Sequence, residues 1–219
     1  MNKKIKVSLI INTAVILALL ILRIYGFFSF LDISINSSYG GKYDSFVEIF
    51  SETASIYSFV IIGGLIAIYQ ITRKKKFSKN LLDFASAFII SSVLVLILKD
   101  VTKVPRPNAT VPPPAGFLSL LSDYYSFPSG HSTRASVASY YLSKKGKIAS
   151  ILSWIYTILI AISRIMLGVH WFSDVVFGIF LGIESSLLVE ILSPQLDKLY
   201  IKLFGKNRIQ LKNKEDGNN

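Results

Sequence analysis

Five apolar runs decide most of what this chain can become. They cover residues 7–22 (extendable to 28), 54–71, 81–98, 148–162 and 171–192, and no linker-like stretch separates them. A helix needs about 20 apolar residues to cross the hydrocarbon core of a bilayer. Inside that core, only elements that satisfy their own backbone hydrogen bonds persist. The expected fold is therefore all-α and membrane-embedded, with one domain over residues 1–195 and a basic tail over 196–219. Charged residues make up only 17% of the chain, against about 25% in ordinary soluble domains. The start, MNKKIKVSLIINTAVILALL, has the charged head of a signal peptide but no obvious small-residue cleavage site, and it reads as a retained first helix.

The stretch 132–142 is short, serine-rich and carries Arg134, so hydropathy alone misses it. Charge argues that it crosses. With six crossings and both termini inside, 17 of the 24 Lys and Arg residues fall on the cytoplasmic side. With five, the KKGK run and the basic tail are thrown outside, against the positive-inside tendency. The net charge of +11 is thereby explained by basic residues at the ends of apolar runs. It does not describe a nucleic-acid patch on a soluble module. In the tail, Leu196, Leu199, Tyr200, Leu203 and Phe204 recur at helical spacing with Lys198, Lys202 and Lys206 between them, as in a basic amphipathic helix on the inner leaflet. The chain has no cysteine, which removes disulfides and thiolate metal sites.

Two segments are left outside. Residues 29–53 read as a polar, acidic loop with Asp32, Asp44, Glu48 and Glu52. Residues 107–128 begin with a stiff PNATVPPP and become apolar and aromatic, which fits either a lipid entrance at the membrane surface or a loop packed for stability. Each segment carries a glycosylation triplet, at Asn36 and Asn108, of a kind that is common by chance.

Three polar clusters then fall on one outer face. In KDVTKVPRP, Lys99 ends the third helix and Arg106 stands between two prolines that force a turn. Alone, these are either snorkelling cations or the start of an anion site. In SFPSGHS, Pro128 stops the preceding chain, Ser129 is a natural N-cap, and His131 falls in the first helical turn. This is either an ordinary capped helix or an anion site at its start. In SRIMLGVHWFSD, Arg164 closes the fifth helix, His170 follows in the turn, and Asp174 lies four residues on. If helix has begun by His170, Asp174 shares its side and can fix its tautomer, although His and Asp also pair for structural reasons. Both histidines of the chain are in these clusters. Ionisable groups at membrane depth are costly and mark function. Three cations around a helix start describe a phosphate pocket, whereas a zinc site would face the repulsion of those cations.

In order, these residues resemble the signature of the type 2 phosphatidic acid phosphatase superfamily: Lys, six residues, Arg-Pro; Pro-Ser-Gly-His; Ser-Arg, five residues, His, three residues, Asp. Here it is filled by Lys99 with Arg106-Pro107, by Pro128-Ser129-Gly130-His131, and by Ser163-Arg164 with His170 and Asp174. The resemblance implies a metal-free, cofactor-free phosphohistidine mechanism. His170 would be the nucleophile, Asp174 its orienting partner and His131 the acid for the leaving oxygen. Lys99, Arg106, Arg164, Ser129 and Gly130 would bind the phosphoryl group. Vanadium haloperoxidases share the signature, but they are soluble and these apolar runs argue against that branch.

The expected protein is thus a six-transmembrane-helix bundle with an extracytoplasmic active site, acting on a lipid phosphate. A polyprenyl diphosphate is the first choice of substrate, with phosphatidylglycerophosphate and phosphatidic acid as alternatives. Glu184 and Glu190 in the sixth run raise a different class, a lipid transporter or flippase. Glu184 lies roughly 15 Å along the helix from Asp174 at 1.5 Å per residue, too far for the chemistry, and a Ser or Tyr on a neighbouring helix is its expected partner.

Overall fold

Each apolar run becomes a helix. The computed structural model describes residues 3–109 and 124–210. In chain order the helices are α1 (Lys3–Ile24), α2 (Ser29–Tyr39), α3 (Ser45–Glu52), α4 (Ile56–Tyr69), α5 (Lys79–Thr102), α6 (Gly130–Ser143), α7 (Lys147–Met166), α8 (Phe172–Ile191) and α9 (Ser193–Phe204). A π-helical turn, Gln70–Lys74, continues α4. Side chains of Asp44, Ser55, Ser78 and Ser129 accept backbone N–H groups in the first turns of α3, α4, α5 and α6, each satisfying one donor that the helix itself cannot.

Five helices are long and apolar enough to span a bilayer: α1, α4 with its π turn, α5, α7 and α8. Large apolar side chains such as Ile10, Ile61, Leu96 and Ile155 point outwards, as lipid-facing residues do, and the chain is an integral membrane protein. The central helix, α6, is different. Its 14 residues rise only about 21 Å, less than a bilayer core. Nine of them are buried, which explains why a serine-rich segment escapes hydropathy: it meets protein on nearly every side and lipid hardly at all.

Small residues and hydroxyls hold that centre together, as expected where lipid removes the hydrophobic drive between helices. Ser136 Oγ donates to the Ile179 carbonyl at 2.7 Å, and Ser139 Oγ lies 2.7 Å from Thr157 Oγ1. On α8, Gly178 and Gly182 let α6 come so close that a Cβ at Gly182 would lie 2.5 Å from the Thr133 carbonyl oxygen. α6 runs parallel to α8, from Ser129 beside Asp174 at one end to the Lys144–Glu190 ion pair at the other.

Four expectations change. Residues 29–53 are mostly helical rather than loop, because α2 and α3 lie within them. The tail helix begins at Ser193, and one side of it docks on α5: Tyr200 is buried, its hydroxyl lies 2.8 Å from Ser86 Oγ, and Lys79 bridges Asp83 and Asp197 at 2.9 and 2.7 Å. Leu199 and Leu203 stay exposed. A two-residue parallel ladder, β1 (Phe77–Ser78) with β2 (Ile209–Gln210), adds a trace of sheet to the helical fold. Glu184 finds its partners on α1, where Asn12 Nδ2 and Thr13 Oγ1 each donate to it at 2.7 Å, in place of the expected Ser or Tyr. The aromatic stretch from 116 to 123 and the last residues, 211–219, lie outside the described residues.

Candidate active site

Lys99 is in the last turn of α5, and its ammonium donates to the Tyr125 carbonyl. The helix then ends at Lys103, whose backbone is left-handed (φ 48°). The following strap is pinned on both sides. Ser126 N–H donates to Val104 O at 2.8 Å, Ser126 Oγ to Pro105 O at 3.1 Å, and Trp171 Nε1 to Pro105 O at 2.9 Å. Arg106, between its prolines, is thereby fixed over the same end of the bundle.

At the start of α6, Ser129 is fully buried and its Oγ accepts from both Ser132 N–H and Ser132 Oγ. Its own proton remains to be donated. Its N–H donates to the Asp174 carbonyl at 3.1 Å, which ties α6 to α8. His131 Nδ1 lies 3.3 Å from Arg134 Nη2. A guanidinium only donates, so Nδ1 is the acceptor and the ring proton belongs on Nε2. That Nε2 faces Glu52 Oε1 at 3.7 Å.

Arg164 closes α7. Its Nη1 donates to Ser51 Oγ at 3.0 Å and lies 3.9 Å from Glu52 Oε1. His170 follows in the turn before α8 and is 1% exposed. Its Nδ1 is 3.4 Å from Asp174 Oδ2, which also accepts the Trp171 N–H at 2.9 Å. The expected helical i,i+4 relation is not the cause, because α8 begins only at Phe172. Asp174 reaches back from the first turn to cap the helix, and the same capping oxygen meets His170. Burial first, then the charges of Arg164, Arg106 and Lys99, hold the His170 imidazole well below its ordinary value of 6.5. The ring is neutral, with a lone pair to give. The same three cations act on His131, so both imidazoles lie within electrostatic reach of all three cations. All eight residues singled out from the sequence gather here. Among the described residues, no group of three or more His, Asp or Glu side chains could hold a metal ion.

Sequence reasoning assigned no role at the site to Arg23, Asp32, Glu52 or Arg134. Arg23 pairs with Asp174 at 3.2 Å, Asp32 receives the Ser173 N–H at 2.9 Å, and Arg134 Nε donates to Ala54 O at 3.0 Å. A signal was present. Seven Lys and Arg residues fall outside the cytoplasmic tally, and Arg23, Lys99, Arg106, Arg134 and Arg164 are five of them.

A sequence model described as the PAP2 superfamily matches residues 80–196. Phosphatidylglycerophosphatase B of Bacillus subtilis (strain 168) is 39% identical over 77 residues, covering 30% of this chain and 38% of that protein. Undecaprenyl-diphosphatase of Sulfolobus acidocaldarius is 31% identical over 137 residues, covering 60% of this chain and 62% of the relative. These matches thus span about two fifths to three fifths of the relatives' length. A crystal structure of a transmembrane PAP2-type phosphatidylglycerolphosphate phosphatase from Bacillus subtilis shares the fold, with a TM-score of 0.66 at 22% identity over 84% of this chain and 96% of that one. The crystal structure of Aquifex aeolicus LpxE aligns with a TM-score of 0.57 at 24% identity, over 74% and 95% of the two chains.

Proposed function

This chain belongs to the PAP2 superfamily, and from that premise we propose that it is a membrane phosphatase that hydrolyses a lipid phosphate ester or diphosphate through a phosphohistidine. One observation carries the proposal: His131, His170 and the charges of Lys99, Arg106 and Arg164 converge at one end of a membrane helix bundle. Phosphoryl transfer asks little of a protein beyond positioning and neutralising charge on the equatorial oxygens.

In this mechanism His170 attacks phosphorus through Nε2, forming the N–P bond as the lipid–oxygen bond to phosphorus breaks. Asp174, at Nδ1, supports the positive charge that the ring acquires. Lys99, Arg106 and Arg164 hold the equatorial oxygens, joined by the Ser129 hydroxyl and the Gly130 N–H at the start of α6. His131, cationic once the phosphoryl anion is bound beside it, donates its Nε2 proton to the leaving oxygen and is left neutral. Water then gives a proton to His131 as its oxygen attacks phosphorus, the N–P bond to His170 breaks, and phosphate is released. The protein's own groups supply every role, so neither metal nor cofactor is required.

α6 passes from the site to the opposite end of the bundle and acts as the sixth crossing. Both termini are then cytoplasmic and the site faces the extracytoplasmic side, which the positive-inside tally supports. The exposed Leu199 and Leu203 of α9, flanked by Lys198 and Lys202, rest on the inner leaflet.

A polyprenyl diphosphate is the favoured substrate, since the undecaprenyl-diphosphatase overlap extends over 60% of this chain. Phosphatidylglycerophosphate is the second reading, favoured by the shared fold with the Bacillus subtilis phosphatase. Glu184, held by Asn12 and Thr13, has a structural role that a transporter's proton relay would leave unexplained. Phosphate release by purified protein from undecaprenyl diphosphate, phosphatidylglycerophosphate and phosphatidic acid, with and without chelator, tests the assignment. The diphosphate should be hydrolysed fastest and chelator should have no effect. Release abolished by chelator would overturn the metal-free mechanism.

A further inference from the structure

The Asp174 carboxylate has two oxygens, and the mechanism above uses one. Oδ2 serves His170 and the Trp171 N–H; Oδ1 faces Arg23 Nη2 at 3.2 Å. Asp174 is fully buried and the Arg23 side chain is 15% exposed. Arg23 belongs to the last turn of α1, outside residues 80–196. It is held in place by several contacts. Its Nη1 lies 3.6 Å from Asp32 Oδ2 and contacts Ser173 Oγ, and its guanidinium stacks over the Phe127 ring at 4.4 Å. Asp32, on α2, accepts the Ser173 N–H at 2.9 Å and the Ser173 hydroxyl at 2.7 Å. Two carboxylates thus cap neighbouring N–H groups at the start of α8, and Arg23 is the cation between them.

We infer that Arg23, anchored by Asp32, is a positioning residue for the catalytic dyad: it keeps Asp174 ionised and aimed at His170 Nδ1. The inference rests on the phosphohistidine reading for its kinetic consequence, but not for its structural one. Two buried carboxylates without a cation between them cannot both stay ionised at low cost. Without Arg23 the buried Asp174 Oδ1 loses its counter-charge, and a carboxyl group that is no longer ionised cannot stabilise the cationic ring. The family-matched segment alone is therefore an incomplete site, because α1 and α2 supply the groups that set the charge of its dyad. The orientation of α1 against α8 is fixed by the same contact at one end and by Asn12 with Glu184 further along.

The chain has only two histidines, so imidazole 15N NMR of full-length protein labelled at histidine shows two rings, and His131→Gln assigns them. Wild type should show His170 protonated on Nδ1. Arg23→Gln should lose that tautomer, and Arg23→Lys should restore it in part. In turnover, Arg23→Gln should lower kcat about ten- to a hundredfold with KM within a factor of two, while binding of orthovanadate as a tetrahedral anion persists. In an Asp174→Asn background the same substitution should cost less than twofold more, since contacting residues are non-additive. An unchanged His170 tautomer in Arg23→Gln overturns the inference, even if the enzyme hydrolyses no lipid phosphate at all. Full additivity with Asp174→Asn also overturns it. Wild-type protein that hydrolyses none of the lipid phosphates, with the tautomer effect intact, overturns the phosphatase reading alone.

Discussion

His170 Nδ1 lies 3.4 Å from Asp174 Oδ2, and that oxygen simultaneously accepts the Trp171 N–H at 2.9 Å. Helix capping and orientation of the nucleophile are thus one interaction. The local fold cannot form at the start of α8 without bringing the carboxylate to the imidazole.

A pH prediction follows from the state of His170. Burial and neighbouring cations keep it neutral in the fold, whereas in the unfolded chain it gains a proton below about 6.5. The unfolded state then binds more protons, so stability falls as pH drops below about 6.5 and is unaffected by this group above it. Thermal midpoints in detergent between pH 5 and 8 should show this slope, and His170→Gln should flatten it. The acid limb of kcat/KM should likewise lie below the ordinary histidine range.

Arg164 is buttressed by Ser51 and Glu52, so its guanidinium is aimed before substrate arrives. Arg164→Ala should lower kcat/KM by about 10²–10³-fold, the scale of losing one preorganised oxyanion donor. Arg164→Lys should recover only part of it, because the charge returns without the planar fork. Steady-state hydrolysis by the two variants gives the comparison.

Glu52 stands at the mouth of the pocket, 3.7 Å from His131 Nε2, with its side chain 58% exposed. A carboxylate there competes with a bound phosphate for the same cations. Glu52→Gln should therefore lower the inhibition constant for inorganic phosphate, by up to about fivefold given the small worth of exposed pairs. Phosphate inhibition curves measure it.

Gly182 permits the closest approach of α6 to α8. Gly182→Ala places a Cβ 2.5 Å from the Thr133 carbonyl oxygen and should cost about 1–3 kcal/mol by overpacking. Gly63→Ala on α4, where nothing lies within 4 Å, should leave the melting temperature unchanged or raise it. Detergent melts of the two variants side by side separate packing from general helix effects.

Most of the bundle was legible because lipid-facing helices advertise themselves in runs of apolar residues, and Lys3–Ile24, Lys79–Thr102 and Phe172–Ile191 overlap the expected segments closely. Gly130–Ser143 was visible only through charge bookkeeping, since a helix enclosed by protein is free to use serine and threonine. The pocket was legible through residues whose chemistry is dear in a membrane: Lys99, Arg106, Ser129, Gly130, His131, Arg164, His170 and Asp174. Arg23 and Asp32 were not, because their contacts cross more than 140 residues of sequence and no local spacing encodes them. The helices α2 and α3 were hidden because they turn the polar Asp32 and Ser51 inward and apolar side chains such as Phe30, Ile33, Phe46 and Ile49 outward, so their sequence does not show the usual apolar core stripe.

The central claim is that the His170 ring carries the phosphoryl group during turnover. Rapid-quench labelling with a lipid substrate bearing 32P, followed by peptide mapping, tests it most directly. An acid-labile, base-stable label on the peptide containing His170, absent from His170→Ala, is the predicted result. Full phosphate release by His170→Ala, or label on any other residue, would contradict it.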